Sequence, residues 1–298
     1  MARPRSETVS LRTLLASLTG RFAAAGVDSP ALSARLLAGH ALGLDRVGLA
    51  TARDRDLTPA QVAAVEALAA RREAGEPAAY LLGRKEFYGR EFLVDARVLV
   101  PRPETEHLVE AALARFDRSA PIRFADLGTG SGALAVTLAL EFPNSRGLAV
   151  DRSAGALAVA RANAAALGAA DRLLFLRADF ARPLASDAAL DLVATNPPYV
   201  TEAEYAGLSR EVRDFEPPGA LVGGPDGLDP LRRIAAAWSP ALRAGGWLLA
   251  EHGAEQGRGA RDVLTPWLPG PPAPATIVDL AGLDRLVAAR RVLQKCHN

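Results

Sequence analysis

From about residue 104 onward, segments patterned as strands alternate with segments patterned as helices, and this alternation restricts the fold more than any other feature of the chain. The strand candidates are Ile122–Asp126, Gly147–Val150, Leu173–Leu176, Leu190–Thr195, Trp247–Glu251, Ala275–Asp279 and Arg285–Ala289. Helical patterns fit between most of them, near 132–141, 154–167, 228–243 and 254–265. A strand returns parallel to its predecessor only through a crossover, and a helix supplies one. The pattern therefore implies an α/β fold, a mostly parallel seven-stranded sheet with helices on both faces. The last two strands stand too close for a helical crossover and are expected to pair antiparallel.

Residues 1–75 read as helices alone. Leu11, Leu14, Leu15, Leu18 and Phe22 recur at helical spacing. Ser29-Pro30 and Thr58-Pro59 each offer an N-cap followed by proline at the first helical position, and Gln61 completes a capping box with Thr58. No set of side chains here suggests chemistry, so this part reads as a helical packing or recognition module. After Gly75-Glu76-Pro77 the pattern changes: Glu86–Tyr88 and Glu91–Val94 form two short strand candidates around Gly89-Arg90. Pro101-Arg102-Pro103 then breaks the chain before a helix near Glu104. The expected organisation is a helical domain over 1–75, a hairpin linker over 76–103 and an α/β domain over 104–298.

Composition narrows the functional classes. The 298 residues are 49% hydrophobic and 23% charged, which excludes a disordered chain, and they allow one large domain or two smaller ones. The 35 basic and 34 acidic side chains nearly cancel, with no polybasic arm, so non-specific binding to nucleic acid is not expected. A single cysteine, Cys296, excludes a disulfide framework and a cysteine-ligated metal. His40, His107, His252 and His297 have no ligand spacing, and no metal is expected. The longest uncharged run, Val263 to Val278, is 16 residues with five prolines, shorter than the roughly 20 apolar residues a membrane span needs. Near the amino terminus Arg12 and Arg21 bracket only eight uncharged residues within a helical pattern, unlike a signal peptide. The expectation is a soluble, cytoplasmic monomer.

The first chemical constellation is Asp126-Leu127-Gly128-Thr129-Gly130-Ser131-Gly132, which follows a strand and opens a helix. Glycines there permit a tight turn and let a ligand approach backbone N–H groups. Such a turn also serves simple chain reversal, and the neighbouring strands sharpen its meaning. Asp151 ends the next strand candidate, where a carboxylate suits ribose hydroxyls; Asp179 follows the third, with Phe180 beside it to stack on a base. All three acids fall at carboxyl ends of consecutive strands, where open α/β sheets bind ligands. The GxGxG spacing differs from the dinucleotide GxGxxG, and no GxxxxGK[ST] loop is present, which disfavours NAD and ATP. An acid before the glycines suits an ammonium group better than a pyrophosphate. S-adenosylmethionine, a nucleoside joined to an amino acid, meets both conditions.

The second constellation, Asn196-Pro197-Pro198-Tyr199, follows the fourth strand candidate. Consecutive prolines hold the chain extended and offer carbonyl acceptors without donors. Asn196 adds a side-chain carbonyl and Tyr199 a flat face. A planar –NH2 group donating to Asn196 and to the Pro197 carbonyl would aim its nitrogen lone pair at a methyl sulfonium. A proline-rich turn with an Asx cap is the plainer alternative.

Asp126–Gly132 resembles the first motif of class I S-adenosylmethionine-dependent methyltransferases. Asn-Pro-Pro-Tyr resembles the motif shared by those that methylate planar amino or amide nitrogens, adenine-N6 and glutamine-N5 enzymes alike. Glu86–Phe92, Val98–Glu106, Glu211–Pro217 and Asp279–Arg285 are similar to segments of the HemK/PrmC family, and the likeness covers about residues 75–292. That resemblance implies methylation of the glutamine in the Gly-Gly-Gln loop of class 1 peptide chain release factors, with S-adenosylmethionine as cofactor and no nucleic acid or membrane required. It implies that Asp126, Leu127, Gly128, Thr129 and Gly130 hold the methionine end and that Asp151 binds the ribose. Asp179 and Phe180 would flank the adenine. Asn196, Pro197, Pro198 and Tyr199 would form the catalytic and substrate-binding segment, with Asn196 also bordering the cofactor.

His252, in Glu251-His252-Gly253, stands where the family usually has an aliphatic residue, either as a strand histidine or touching the site. Glu216 and Glu251 are candidates for the pocket or for structural hydrogen bonds, and Arg102 for orienting a carboxylate or the linker. Competing readings are a glutamine methyltransferase acting on a ribosomal protein, a DNA adenine-N6 methyltransferase, and a non-enzymatic adaptor. Pro-Arg-Pro-Glu-Thr-Glu favours the release-factor branch over the ribosomal one. The first hundred residues carry 14 basic and 11 acidic groups, too little excess for a DNA-recognition domain.

Overall fold

The computed structural model describes residues 9–182, 188–279 and 281–292. Leu280, Cys296 and His297 lie outside the described residues. The chain forms two compact units. One holds the residues up to Arg84 together with Ser209–Phe215; the other holds Lys85–Leu208 and the residues from Glu216 onward.

The first unit is helical: α1 (Leu11–Ala24), α2 (Pro30–Leu42), α3 (Arg46–Thr51), α4 (Pro59–Glu73) and α5 (Ala78–Leu82). Leu11, Leu14, Leu18 and Phe22 on one stripe of α1 pack with Leu37 of α2, Val65 of α4 and Leu81 of α5. Because Leu81 belongs to this core, the unit runs past the composition change near residue 75. Its helices are accompanied by a two-residue ribbon in which β1 (Val9–Ser10) pairs antiparallel with β2 (Asp56–Leu57). The helix pattern alone does not reveal that ribbon. Thr58 and Gln61 form the expected capping box, bonded at 3.2 and 3.0 Å. Ser29 does not cap: its backbone lies at φ 48°, ψ 59° and its side chain makes no cap bond. An N-cap hydroxyl reaches the first-turn amides from extended backbone, and here Pro30 alone sets the helix start.

The second unit opens at Lys85 within a hairpin, β3 (Arg84–Phe87) and β4 (Arg90–Leu93), whose Phe87 and Phe92 are buried edge-to-face at 6.1 Å. Seven strands follow: β5 (Arg123–Leu127), β6 (Arg146–Asp151), β7 (Leu173–Arg177), β8 (Leu190–Thr195), β9 (Leu242–Glu251), β10 (Ala275–Val278) and β11 (Asp284–Arg290). They form one sheet in the order β10-β11-β9-β8-β5-β6-β7. The β9-β8-β5-β6-β7 run is parallel, while β11 pairs antiparallel with both β9 and β10. The helices of this unit are α6 (Glu106–Leu113), α7 (Ala133–Glu141), α8 (Ala154–Ala166), α9 (Glu202–Tyr205), α11 (Asp229–Trp238) and α12 (Gly257–Leu264); α10 (Arg210–Phe215) belongs to the helical unit.

β8 is buried at every position, as expected of a central strand covered on both faces. The apolar helix α7 is buried almost entirely. β9 begins at Leu242, earlier than the strand pattern indicates, because α11 stops at Trp238 and Leu242 pairs with Leu190. The pairing shifts before Trp247 joins Leu192, where Gly245 has φ 83°. No helix among the described residues is long and apolar enough to cross a membrane.

Candidate active site

The sheet order places β5 between β8 and β6, so loops leaving the carboxyl ends of these strands share one crevice. β5 ends at Leu127, and the chain turns through Gly128–Gly132 into α7. The backbone N–H groups of Gly128 and Thr129 both donate to the Val150 carbonyl at 2.9 Å. Asp151 holds the same loop from the end of β6: one oxygen accepts from the Gly130 N–H at 3.0 Å, the other from the Ser153 N–H at 2.8 Å.

The three glycines differ in what surrounds them. A methyl on Gly128 would meet nothing within 4 Å, and one on Gly130 would meet only the Gly128 carbonyl at 3.9 Å. Both have positive φ, 76° and 55°. Their bare side is open space, where a ligand can lie against backbone. Gly132 instead packs on α8, where a methyl would sit 3.0 Å from the Ala160 Cβ.

Asp126 is buried beneath the loop. One of its oxygens accepts from the Thr129 hydroxyl at 2.6 Å and from the Ala135 N–H at 3.1 Å. Burial pushes its carboxyl up to about 7 against those two bonds. A cation brought next to it would favour the ionised form.

Past β7, Asp179 is exposed, accepting from the Ala181 N–H at 2.9 Å and pairing with Arg233 of α11 at 3.0 Å. Those bonds, the backbone one first, hold its carboxyl below the usual range. Phe180 is partly buried against the core cluster that includes Trp238, and its carbonyl accepts from the Trp238 indole at 2.7 Å.

At the end of β8, Thr195 lies opposite Leu127, and its hydroxyl donates to the Leu127 carbonyl at 2.7 Å. The Asn196–Tyr199 segment therefore starts one strand spacing from the glycine loop. Asn196 is half-buried, and its Nδ2 donates to the Thr105 hydroxyl oxygen at 2.9 Å. The Thr105 hydroxyl donates to Glu251 at 2.7 Å, and the Tyr199 hydroxyl donates to the other Glu251 oxygen at 3.1 Å. Burial pushes the Glu251 carboxyl up to about 7, opposed by those two bonds. The same buried setting raises the Tyr199 phenol, which stays protonated.

Behind the segment, the Gln256 amide donates to the Tyr199 carbonyl at 2.8 Å, and the Val200 N–H donates to the Leu221 carbonyl at 2.9 Å. Thr105 and Gln256 escape a reading of the sequence: one stands inside Pro-Arg-Pro-Glu-Thr-Glu and the other in an ordinary helix start, with no spacing that marks either.

Arg102 and His252 both bond to the surrounding framework. Arg102 pairs with the buried Glu216 at 2.7 Å, and Glu216 also accepts from the Val100 N–H, which fixes the stretch before α6. His252 is buried just past β9, its Nδ1 bonded to the Gly253 carbonyl at 2.8 Å, and burial lowers its pKa so that the ring is neutral.

Comparison with known proteins agrees with this construction. Residues 13–83 match the PrmC N-terminal domain and residues 105–210 the methyltransferase small domain. The chain is 49% identical over 284 residues to the release factor glutamine methyltransferase of Nitratidesulfovibrio vulgaris, covering 95% of this chain and 96% of that one. It is 41% identical over 283 residues to the protein of the same name from Koribacter versatilis, covering 95% and 99%. Among solved structures, the T. thermophilus 16S rRNA N2 G1207 methyltransferase in complex with AdoMet and guanosine aligns with a TM-score of 0.50 at 19% identity. That alignment covers 70% of this chain and 49% of the other, so the chain spans about half the length of that protein and shares its fold.

Proposed function

The chain belongs to the release factor glutamine methyltransferase family, and from that premise we propose that it transfers the methyl group of S-adenosylmethionine to the side-chain amide nitrogen (N5) of the glutamine in the Gly-Gly-Gln loop of class 1 release factors. The observation that carries this reading is the pairing of Thr195 with Leu127. It sets a rigid segment of hydrogen-bond acceptors beside a loop whose glycines face open space.

The residues present fit the cofactor. The open side of Gly128 and Gly130, with Leu127 and Thr129 between buried Asp126 and Asp151, takes the methionine end, whose ammonium favours ionised Asp126. Asp151 takes the ribose hydroxyls with lone pairs left over from its two backbone bonds. Asp179 and Phe180 flank the adenine, Asp179 sharing its carboxylate with Arg233. When bound, the cofactor supplies an electrophilic methyl group on a sulfonium.

The Asn196 and Pro197 carbonyls accept hydrogen bonds from the two N–H groups of the glutamine amide, while Pro198 keeps the segment extended and Tyr199 offers its face; the nitrogen sheds one of these protons to solvent once it carries the methyl group. An amide nitrogen is a poor nucleophile because its lone pair is delocalised into the carbonyl. The two acceptors bind its N–H bonds more strongly as the nitrogen gains positive charge, which stabilises the transition state selectively. Alignment with the methyl group contributes as well, by up to about 7–11 kcal/mol where the bound geometry is near attack. The chain works as a cytoplasmic monomer on a protein substrate. Its near-neutral charge gives no support to a nucleic-acid substrate.

The test incubates the protein with labelled S-adenosylmethionine and three acceptors: a class 1 release factor, its loop Gln→Ala variant, and duplex DNA. Label on the intact release factor alone is expected. Label on DNA, or equal label on the Gln→Ala variant, overturns the substrate. Asn196→Ala is expected to leave cofactor binding within a few-fold and to lower turnover by about two orders of magnitude, equivalent to roughly 3 kcal/mol. Turnover near that of the unaltered protein removes Asn196 from the reaction.

A further inference from the structure

Glu251 is a single buried carboxylate that reaches both ends of the acceptor segment. It closes β9 with its side chain 1% exposed, accepts from Thr105 with one oxygen and from Tyr199 with the other. An ionised carboxylate has no proton to give, so each hydroxyl spends its only proton on it. Thr105 Oγ1 is left with lone pairs alone, and Asn196 can meet it only with Nδ2, as it does at 2.9 Å. An amide that donates through nitrogen on one side presents its carbonyl oxygen on the other. The charge on Glu251 thus sets the polarity of Asn196, two hydrogen bonds away.

We infer that Thr105 and Glu251 are positioning residues that fix which end of the Asn196 amide faces the substrate, so that the site accepts the protons of an –NH2 group and rejects a carboxylate or carbonyl in its place. The inference rests on Asn196 holding the glutamine amide. A neutral side chain at 251, whether a protonated acid or an amide, carries a proton that can be turned toward Thr105. Thr105 then turns its own proton toward Asn196, the amide rotates, and two –NH2 groups face each other. Besides the two hydroxyls, the charges bearing on Glu251 are Glu104, which disfavours its ionisation, and Arg285, which favours it.

At pH 8, Glu251→Gln and Thr105→Val are each expected to lower kcat on the release factor by about a hundredfold, the scale for losing one preorganised group in a site. S-adenosylmethionine binding measured by calorimetry should stay within about twofold, and Thr105→Ser should restore kcat to within about threefold, about a third and a half of the 1.4 kcal/mol that a factor of ten represents. Asn196→Asp in the otherwise unaltered protein faces two acceptors toward each other and loses activity. The double variant E251Q/N196D restores a consistent chain: the new amide donates to Thr105, and Thr105 donates to the new carboxylate. It should exceed either single variant by about tenfold, whereas a structural role predicts losses that multiply.

A readout independent of turnover is the side-chain ¹⁵N signal of Asn196, identified by its loss in Asn196→Asp. It should move in Thr105→Val and Glu251→Gln and stay in Thr105→Ser. An unmoved signal, an unaltered kcat in Glu251→Gln, or multiplicative losses in the double variant overturn the inference. If the release factor stays unlabelled by the unaltered protein while the signal follows Thr105 and Glu251, the substrate reading falls and the polarity of Asn196 stands.

Discussion

Gly227 lies directly against the carbonyl of Tyr199: a methyl built on it would sit 2.1 Å from that oxygen and 2.1 Å from the Gln256 amide that bonds to it. Gly223 stands against the neighbouring Pro198 carbonyl, where a built methyl would sit 2.6 Å from the oxygen. The loop Gly223-Gly224-Pro225-Asp226-Gly227 is therefore the floor on which the backbone of the Asn196–Tyr199 segment rests.

Gly227 also has φ 73°, so alanine there meets left-handed strain of roughly 1–2 kcal/mol together with a backbone collision. Gly227→Ala is expected to lower kcat by at least about tenfold through displacement of the segment. S-adenosylmethionine binding should change little, because the cofactor loop hangs from β5 and β6. Initial rates and calorimetry on the same preparation check this. Equal losses of rate and cofactor affinity would show that the loop supports the whole crevice.

The glycines at 128 and 132 separate binding from folding. Gly128→Ala adds a methyl to open space, so it carries the conformational strain alone, about 1 kcal/mol of stability, while obstructing the surface a ligand would cover. Gly132→Ala adds the same strain and presses on Ala160, for a total of about 2–4 kcal/mol. Urea unfolding should rank Gly132→Ala as the less stable variant, and cofactor titration should rank Gly128→Ala as the weaker binder, by more than about tenfold. A reversal of either order refutes the division.

The parts legible in the sequence are those encoded locally. Alternating apolar segments mark the strands because a buried parallel sheet requires them, and the glycine loop declares itself because turn and ligand approach demand the same small residues within seven positions. Asn196–Tyr199 is legible for the same reason, since its rigidity is written in consecutive prolines. Thr105 is not. Its partners stand 91 and 146 positions away, and threonine before a helix is ordinary in any chain. Gln256 reaches Tyr199 across 57 positions. Ser29 shows the converse, a local capping signal overridden by backbone geometry. The β1–β2 ribbon is only two residues long on each side, too short to carry a period.

Within the helical unit, Arg72 on α4 is 3% exposed and donates to the Glu76 carbonyl at 2.8 Å and to Glu211 of α10 at 2.6 Å. Removing a buried guanidinium leaves a cavity and an unanswered carbonyl. Arg72→Ala is expected to cost about 2–4 kcal/mol of unfolding free energy, and Arg72→Met less, because the stem still fills the space. Glu211 is about a third exposed, so Glu211→Gln should cost under about 1 kcal/mol. The order Ala, Met, Gln in urea unfolding checks the assignment. An equal cost for Glu211→Gln and Arg72→Ala would place the stabilisation in the ion pair rather than in burial.

Stability and turnover should respond to pH in opposite directions at Glu251. Its carboxyl is pushed up to about 7 in the folded chain, chiefly by burial, against an unfolded value near 4.3. Between those values the folded chain keeps a proton that the unfolded chain has released, so the stability linked to this group is full below the lower value and lost as pH rises through about 7. Asp126 adds to the same slope. Glu251→Gln cannot titrate, so its stability relative to the unaltered protein should rise between pH 4 and pH 8.5, by up to about 4 kcal/mol. Over the same interval kcat of the unaltered protein should climb as Glu251 ionises and orients Asn196, and that rise should vanish in the variant. Thermal melts and initial rates across this range decide it: a rate profile that keeps its acid limb in Glu251→Gln assigns the limb to another group.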